Sequence, residues 1–209
     1  MKKILFVILA LTAPVLTFAQ SALTGTDRAS AIALLKQANA LESTMTFDFK
    51  VTRHSSMLKD NLESSGHAAF SFPSQLCWET VLPSSNIFIL DGNTVITGPA
   101  GNMRTIDISE NRRFQSIARS ASRLQTAGLL SEDDFTITVS RTDNMYKVEM
   151  VPLRRELRQL YTSITLFADA GTGAVSVIQL VDTGGDSSTI RLSSVKRGIK
   201  LPDSTFKTR

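Results

Sequence analysis

The sequence predicts a mainly β (α+β) fold: a curved antiparallel half-open barrel of about eleven strands, with helices covering the concave face. Three observations predict it. Met45, Phe47, Phe49 and Val51 alternate with Thr46, Asp48, Lys50 and Thr52, the period-two pattern of a strand with one buried face. Similar segments recur with only short turns between them, and connections that short make hairpins rather than parallel crossovers. Two segments alone switch to helical period, too few to cover both faces of such a sheet.

The elements follow in order. Met1, Lys2 and Lys3 form a basic start, Ile4 to Leu11 an apolar run, and Pro14 with Thr17-Phe18-Ala19 before Gln20 the small-residue end that a signal peptidase reads. Thr12 and Pro14 interrupt the run, which is far short of the ~20 apolar residues of a membrane span. The expectation is a cleaved signal over residues 1–19, export to the periplasm, and one domain over residues 20–209. Thr24 to Ala40 reads as a helix, with Ala31, Leu34, Leu35, Ala38 and Leu41 on one stripe. After the Met45 strand come strands at roughly Leu62 to Phe72, Leu76 to Val81, Asn86 to Asp91, Thr94 to Thr97 and Met103 to Ile108. Pro73-Ser74, Pro83-Ser84-Ser85, Asp91-Gly92-Asn93 and Gly98-Pro99 supply the turns. Asn111 to Leu124 returns to helical period through Phe114, Ile117, Ala121 and Leu124. Phe135 to Arg141, Met145 to Val151, Tyr161 to Ala168, Ala174 to Asp182 and Ser187 to Lys196 complete the strands.

Charge and composition exclude several functions. Without Lys2 and Lys3, 21 basic residues face 19 acidic ones, so the high isoelectric point marks no nucleic-acid binder. Arg112, Arg113, Arg119 and Arg123 on the second helix, and Arg154, Arg155 and Arg158 in a loop, read as solvated charge or as docking points for an acidic partner. Cys77 is the single cysteine, which rules out an internal disulfide and leaves the fold to its apolar core. Gln20, not a cysteine, stands directly after Ala19, so no acyl anchor is expected. His54 and His67 lack partners at metal-ligand spacing, and Glu132-Asp133-Asp134 lacks the spacing of a calcium loop. No serine sits in a G-x-S-x-G elbow, and Thr183-Gly184-Gly185-Asp186 is a hairpin turn without the lysine of a phosphate loop. The reading is a non-enzymatic protein without cofactor or metal. Its distinctive feature is phenylalanine, 11 residues against one tryptophan and two tyrosines, with Phe47, Phe49, Phe70 and Phe72 on matching faces of neighbouring strands and Trp78 close behind.

Gly66-His67-Ala68-Ala69-Phe70-Ser71-Phe72-Pro73, then Leu76-Cys77-Trp78-Glu79, Pro83 and Asp91-Gly92-Asn93-Thr94 occur in an order that resembles the LolA family of periplasmic lipoprotein carriers. The later chain is similar too: Phe135 to Val151 ends at Pro152, Tyr161 to Phe167 follows, and Ala174 to Leu192 leads to Leu201-Pro202-Asp203-Ser204-Thr205-Phe206. The resemblance implies a half-open barrel closed by helices. It also implies a monomeric, cofactor-free carrier that takes acylated lipoproteins from an inner-membrane exporter to an outer-membrane receptor. Many members of that family carry an arginine just before the first motif's proline, where it latches the lid; Phe72 stands there in this chain, so the latch is not carried over. A carrier of another amphiphile, such as a glycolipid or pigment lipid, and a lipid-sensing or peptide-binding regulator on the same half-barrel are the alternatives. The expected acyl-chain cavity is lined by Phe47, Phe49, Phe70, Phe72, Trp78, Ile89, Ile164 and Leu166, under a lid helix bearing Phe114, Ile117, Ala121 and Leu124.

Overall fold

A computed structural model describes residues 21–40, 44–109 and 130–207. The predicted signal segment and the predicted lid helix with Phe114, Ile117, Ala121 and Leu124 lie outside the described residues.

Eleven strands form one antiparallel sheet: β1 (Thr44–His54), β2 (Leu62–Ser71), β3 (Gln75–Leu82), β4 (Asn86–Asp91), β5 (Thr94–Gly98), β6 (Arg104–Asp107), β7 (Phe135–Thr142), β8 (Met145–Pro152), β9 (Tyr161–Asp169), β10 (Val175–Asp182) and β11 (Ser187–Arg197). The spatial order is β6-β5-β4-β3-β2-β1-β11-β10-β9-β8-β7. Two meanders therefore run outward from a central β1–β11 pair, which joins the two ends of the domain from Met45↔Arg197 to His54↔Ser187. β6 and β7 do not pair with each other, so the sheet stays open. Register shifts between Thr46 and Asp48, between Ser65 and Gly66, and along β10 mark bulges, which increase local twist and curl the sheet.

The helix read from Thr24 to Ala40 spans Gly25–Ala38 (α1) and buries Ala31, Ile32 and Leu35. Leu41 of the expected stripe lies outside the described residues, and Ile32 takes a buried place that the stripe did not include. The helix stops at Asn39, whose Nδ2 donates to Leu35 O at 2.8 Å and to Gly173 O at 2.7 Å. Its Oδ1 accepts from Val175 N at 3.3 Å and from Arg197 Nη2 at 3.2 Å. One side chain thus caps the helix and pins it to the β9–β10 turn and β11. Arg154, Arg155 and Arg158 do not lie in a plain loop: Arg155–Arg158 forms one helical turn (α2), anchored by buried Leu157.

The core divides by face. On the α1 side, Ala31, Ile32 and Leu35 pack with Val139, Val148, Met150, Ile164, Leu166 and Ala168. On the other side, the chain after β11 crosses back over the sheet, and Phe206 buries itself against Ala69, Cys77, Ile87 and Ile89. The outer edges are treated differently. β7 is partly covered by an extended N-terminal stretch, with Ala22 bridging Ser140 and Leu23 N donating to Val139 O at 2.7 Å. β6 is a four-residue strand with Arg104 and Asp107 at its ends, and short charged edges resist pairing with other chains.

Candidate functional site

Residues directly opposite each other in an antiparallel pair project to the same face. Phe47 opposes Ala68, Phe49 opposes Gly66 and Met45 opposes Phe70; Ala68 in turn opposes Trp78, and Phe70 opposes Leu76. Phe47, Phe49, Phe70 and Trp78 are thereby brought to one face. β2 carries the two smallest side chains, Gly66 and Ala68, between the aromatic rows of β1 and β3, and this leaves room for the rings to meet across it. Phe49 stacks on Trp78 with centroids 3.9 Å apart and planes 22° apart. Phe47 stacks on Phe70 at 5.6 Å and meets Trp78 edge-on at 6.1 Å and 75°. A Cβ on Gly66 would lie 2.9 Å from Phe49 Cζ and 1.8 Å from Glu79 O, so only glycine admits this arrangement.

The same face continues across the sheet in a single cross-strand row, Val51, Ile190, Ile178, Leu166, Val148 and Val139. Its two halves are covered differently. Around β7 to β9, α1 closes the face, and Leu35, Val139, Val148, Met150 and Ala168 are fully buried. Ile164 and Leu166 belong to this packed region. Around β11, β1 and β3, the aromatic cluster is flanked by Met45, Val51, Leu76, Trp78, Ile190 and Leu192, all apolar and only partly buried. Met45 and Val51 were read from the sequence on the same face as Phe47 and Phe49; Leu76, Ile190 and Leu192 were not singled out, and the signal for the last two was the same alternation continued along β11.

Two expected lining residues fall elsewhere. Ile89 opposes Cys77 and Ile96 and sits on the other face beneath Phe206, because a strand's side chains alternate and Leu90, not Ile89, shares the aromatic face. Phe72 lies beyond the end of β2, in the turn before β3, and is 47% exposed. The residue at the family's latch position is thus an apolar side chain in solvent, without the donor groups that a latch uses.

The opposite face has a pocket of about 360 Å³ with a mixed lining, Thr46, Asp48, His67, Glu79, Lys196 and Thr205 beside Ala69 and Cys77. His67 Nδ1 lies 2.5 Å from Asp48 Oδ1. Hydrogen bonds from the side chains of Ser194 and His67 hold the Asp48 carboxyl below the usual carboxylate range. Among the described residues, no three His, Cys, Asp or Glu side chains are grouped to hold a metal ion, and no helix is long and apolar enough to cross a membrane.

Comparison with known proteins gives this arrangement a family. An outer-membrane lipoprotein carrier protein from Dechloromonas aromatica (strain RCB) is 27% identical over 147 residues, covering 69% of this chain and 67% of that one. Among solved structures, an uncharacterized conserved protein from Thermus thermophilus superposes with a TM-score of 0.51 at 9% identity, covering 86% of this chain and 93% of that one. A LolA superfamily protein from Nitrosomonas europaea gives a TM-score of 0.48 at 11% identity, covering 86% and 96%. At these identities the structural likeness bears on the fold alone. The family described as "Outer membrane lipoprotein carrier protein LolA" matches residues 41–209, a span that takes in all eleven strands, and the chain belongs to that family.

Proposed function

We propose that this protein is a periplasmic carrier that shields the acyl chains of a lipoprotein against the aromatic half of its sheet, during passage from an inner-membrane exporter to an outer-membrane acceptor. The observation that carries the reading is the unequal cover of one apolar face. Where α1 packs, the face is a closed core; Phe47, Phe49 and Phe70 are buried by their own stacking, and the apolar border around them, Met45, Val51, Leu76, Trp78, Ile190 and Leu192, is only partly buried. Leaving so much apolar surface without full cover is unfavourable unless a ligand completes it. Aromatic rings and aliphatic side chains suit acyl chains, which offer no polar atoms to recognise. Membership in the lipoprotein-carrier family supports the same reading. No catalytic step or cofactor is required.

Exported protein titrated with a fluorescent fatty-acid probe tests it: saturable uptake, competed by lipoprotein acyl chains and weakened by Phe49→Asp, is expected. A face that takes up no probe, with no lipid co-purifying by mass spectrometry, overturns it. A second reading, transport of another amphiphile, is favoured by one residue. Phe72 stands where many relatives hold their latching arginine, so closure here relies on something other than that latch. Mass spectrometry of lipids extracted from the native protein separates the two, since one predicts acylated polypeptide and the other a free amphiphile.

A further inference from the structure

The ladders on the two sides of β11 differ in length. On the β1 side pairing runs to Met45↔Arg197, whereas on the β10 side it stops at Val177↔Arg191. Past Arg191, β11 therefore has a described strand on one side only, and a seam opens between the aromatic half of the sheet and the half that α1 covers. Arg197 stands at this seam. It opposes Met45 and so belongs to the apolar face, at the end of a cross-strand row that otherwise reads Met45, Phe70, Leu76, Leu90, Val95 and Ile106. The side chain is exposed, and its Nη2 donates to Asn39 Oδ1 at 3.2 Å. Among the described residues no carboxylate pairs with it. Partial burial alone lowers its pKa from the usual guanidinium value, with no neighbouring charge contributing, and it stays protonated. Its remaining N–H donors are left for a ligand. If the guanidinium turns to one, Asn39 keeps its bonds to Leu35, Gly173 and Val175.

The charge on this part of the sheet is one-sided. The carboxylates of β1 to β6, Asp48, Glu63, Glu79, Asp91 and Asp107, all project to the opposite face, in register with Thr44, Asp48 and Thr52, and β11 has none. An anion on the apolar face therefore meets no strand carboxylate there. Two other arginines share that face. Arg53 is taken up by Asp182 and Asp186, and Arg104 lies at the far edge of the sheet on β6. Arg197 is the one beside the partly buried border of Met45 and Leu192 that lacks a counter-charge. A guanidinium in that position suits an oxyanion, which it can hold through two parallel N–H bonds. We propose that Arg197 binds the oxyanion head group, carboxylate or phosphate, of an amphiphile whose chain lies over Met45, Phe70 and Leu192. The proposal rests on acyl-chain binding at the aromatic half, and it adds a ligand class that needs no attached polypeptide.

Displacement of Nile red, a neutral probe, from the exported protein by dodecanoate, dodecyl phosphate and dodecanol tests it, since the three share a chain and differ in the head. At least one of the two anions is expected to bind about tenfold or more tighter than dodecanol, the effect of a charge-assisted pair. Preference for the phosphate identifies a phospholipid-type head, and preference for the carboxylate a fatty-acid-type head. Arg197→Gln, which keeps a donor for Asn39 and removes the charge, should bring the anions down to the level of dodecanol and leave dodecanol unchanged. Arg197→Lys should retain a several-fold preference, and Arg104→Gln should retain all of it. Equal binding of the three heads by the wild type overturns this proposal while leaving acyl-chain carriage intact; failure of the probe and all three heads to bind overturns both. A loss in Arg197→Gln that is equal for dodecanol and the anions, with a lowered melting temperature, assigns Arg197 a structural role and overturns the proposal, as does an equal loss of preference in Arg104→Gln.

Discussion

Gly66 shows how much a single missing side chain decides. A Cβ on Gly66 would run into the Glu79 carbonyl oxygen at 1.8 Å and come within 2.9 Å of Phe49 Cζ. The clash is with backbone, so β2 and β3 would have to separate. Gly66→Ala is expected to destabilise the fold by about 3 kcal/mol, at the upper end for overpacked sites, and to disturb the Phe49–Trp78 stack. Urea unfolding and tryptophan fluorescence read the two effects. Asn39 works by what its side chain adds, four hydrogen bonds shared among α1, the β9–β10 turn and β11. Asn39→Ala leaves part-buried groups without partners and should cost roughly 1 to 3 kcal/mol in the same unfolding measurement. Phe47, Phe49, Phe70 and Trp78 were legible in the sequence because alternation assigns a face. Ile89 was not, because in the run Ile87-Phe88-Ile89-Leu90 every residue is apolar, and only the pairing to β3 shows which side each one takes.

Among the elements, α1 and the C-terminal segment do the covering. Helix α1 approaches the β9–β10 turn so closely that a Cβ on Gly173, which has φ +74, would lie 2.8 Å from Leu34 O and 3.0 Å from Ala38 Cβ. Gly173→Val should loosen α1 from the sheet and raise hydrogen exchange along Gly25–Ala38 before it affects β1. The segment after β11 reaches the other face through Gly198, whose N donates to Thr44 O at 2.9 Å, and ends in buried Phe206. Phe206→Ala should cost about 3 to 5 kcal/mol, the usual range for a core phenylalanine, and expose Cys77 to thiol reagents. That exposure would be measurable as faster labelling. The strands and α1 were legible from periodicity and turn residues. The one-turn helix Arg155–Arg158 was not, because four residues are too few to show a helical period.

For the protein taken as one cooperative unit, acid should be the effective denaturant. The carboxyls of Asp48, Asp107, Asp169 and Asp186 are all held below the usual range, chiefly by hydrogen bonds from Ser194, Ser109, Thr172 and Ser55 respectively. A carboxyl with a lowered pKa in the folded state stabilises it fully above the unfolded value, and that stabilisation is lost as pH falls through the folded value. The melting temperature should therefore be nearly flat between about pH 5 and neutrality and fall below about pH 4, which a calorimetric series would show. Local patterning was enough to establish the number of strands, their antiparallel order and the apolar character of one face, because alternation and turn chemistry are read without knowledge of partners. It also carried the family resemblance that the match over residues 41–209 bears out. The folded chain was needed to show that β1 pairs with β11, that α1 closes one half of the apolar face while the border of the aromatic cluster stays only partly buried, and that Phe206 rather than a ligand covers Ile89. Those outcomes depend on contacts between residues far apart in the chain, and local spacing holds no record of them.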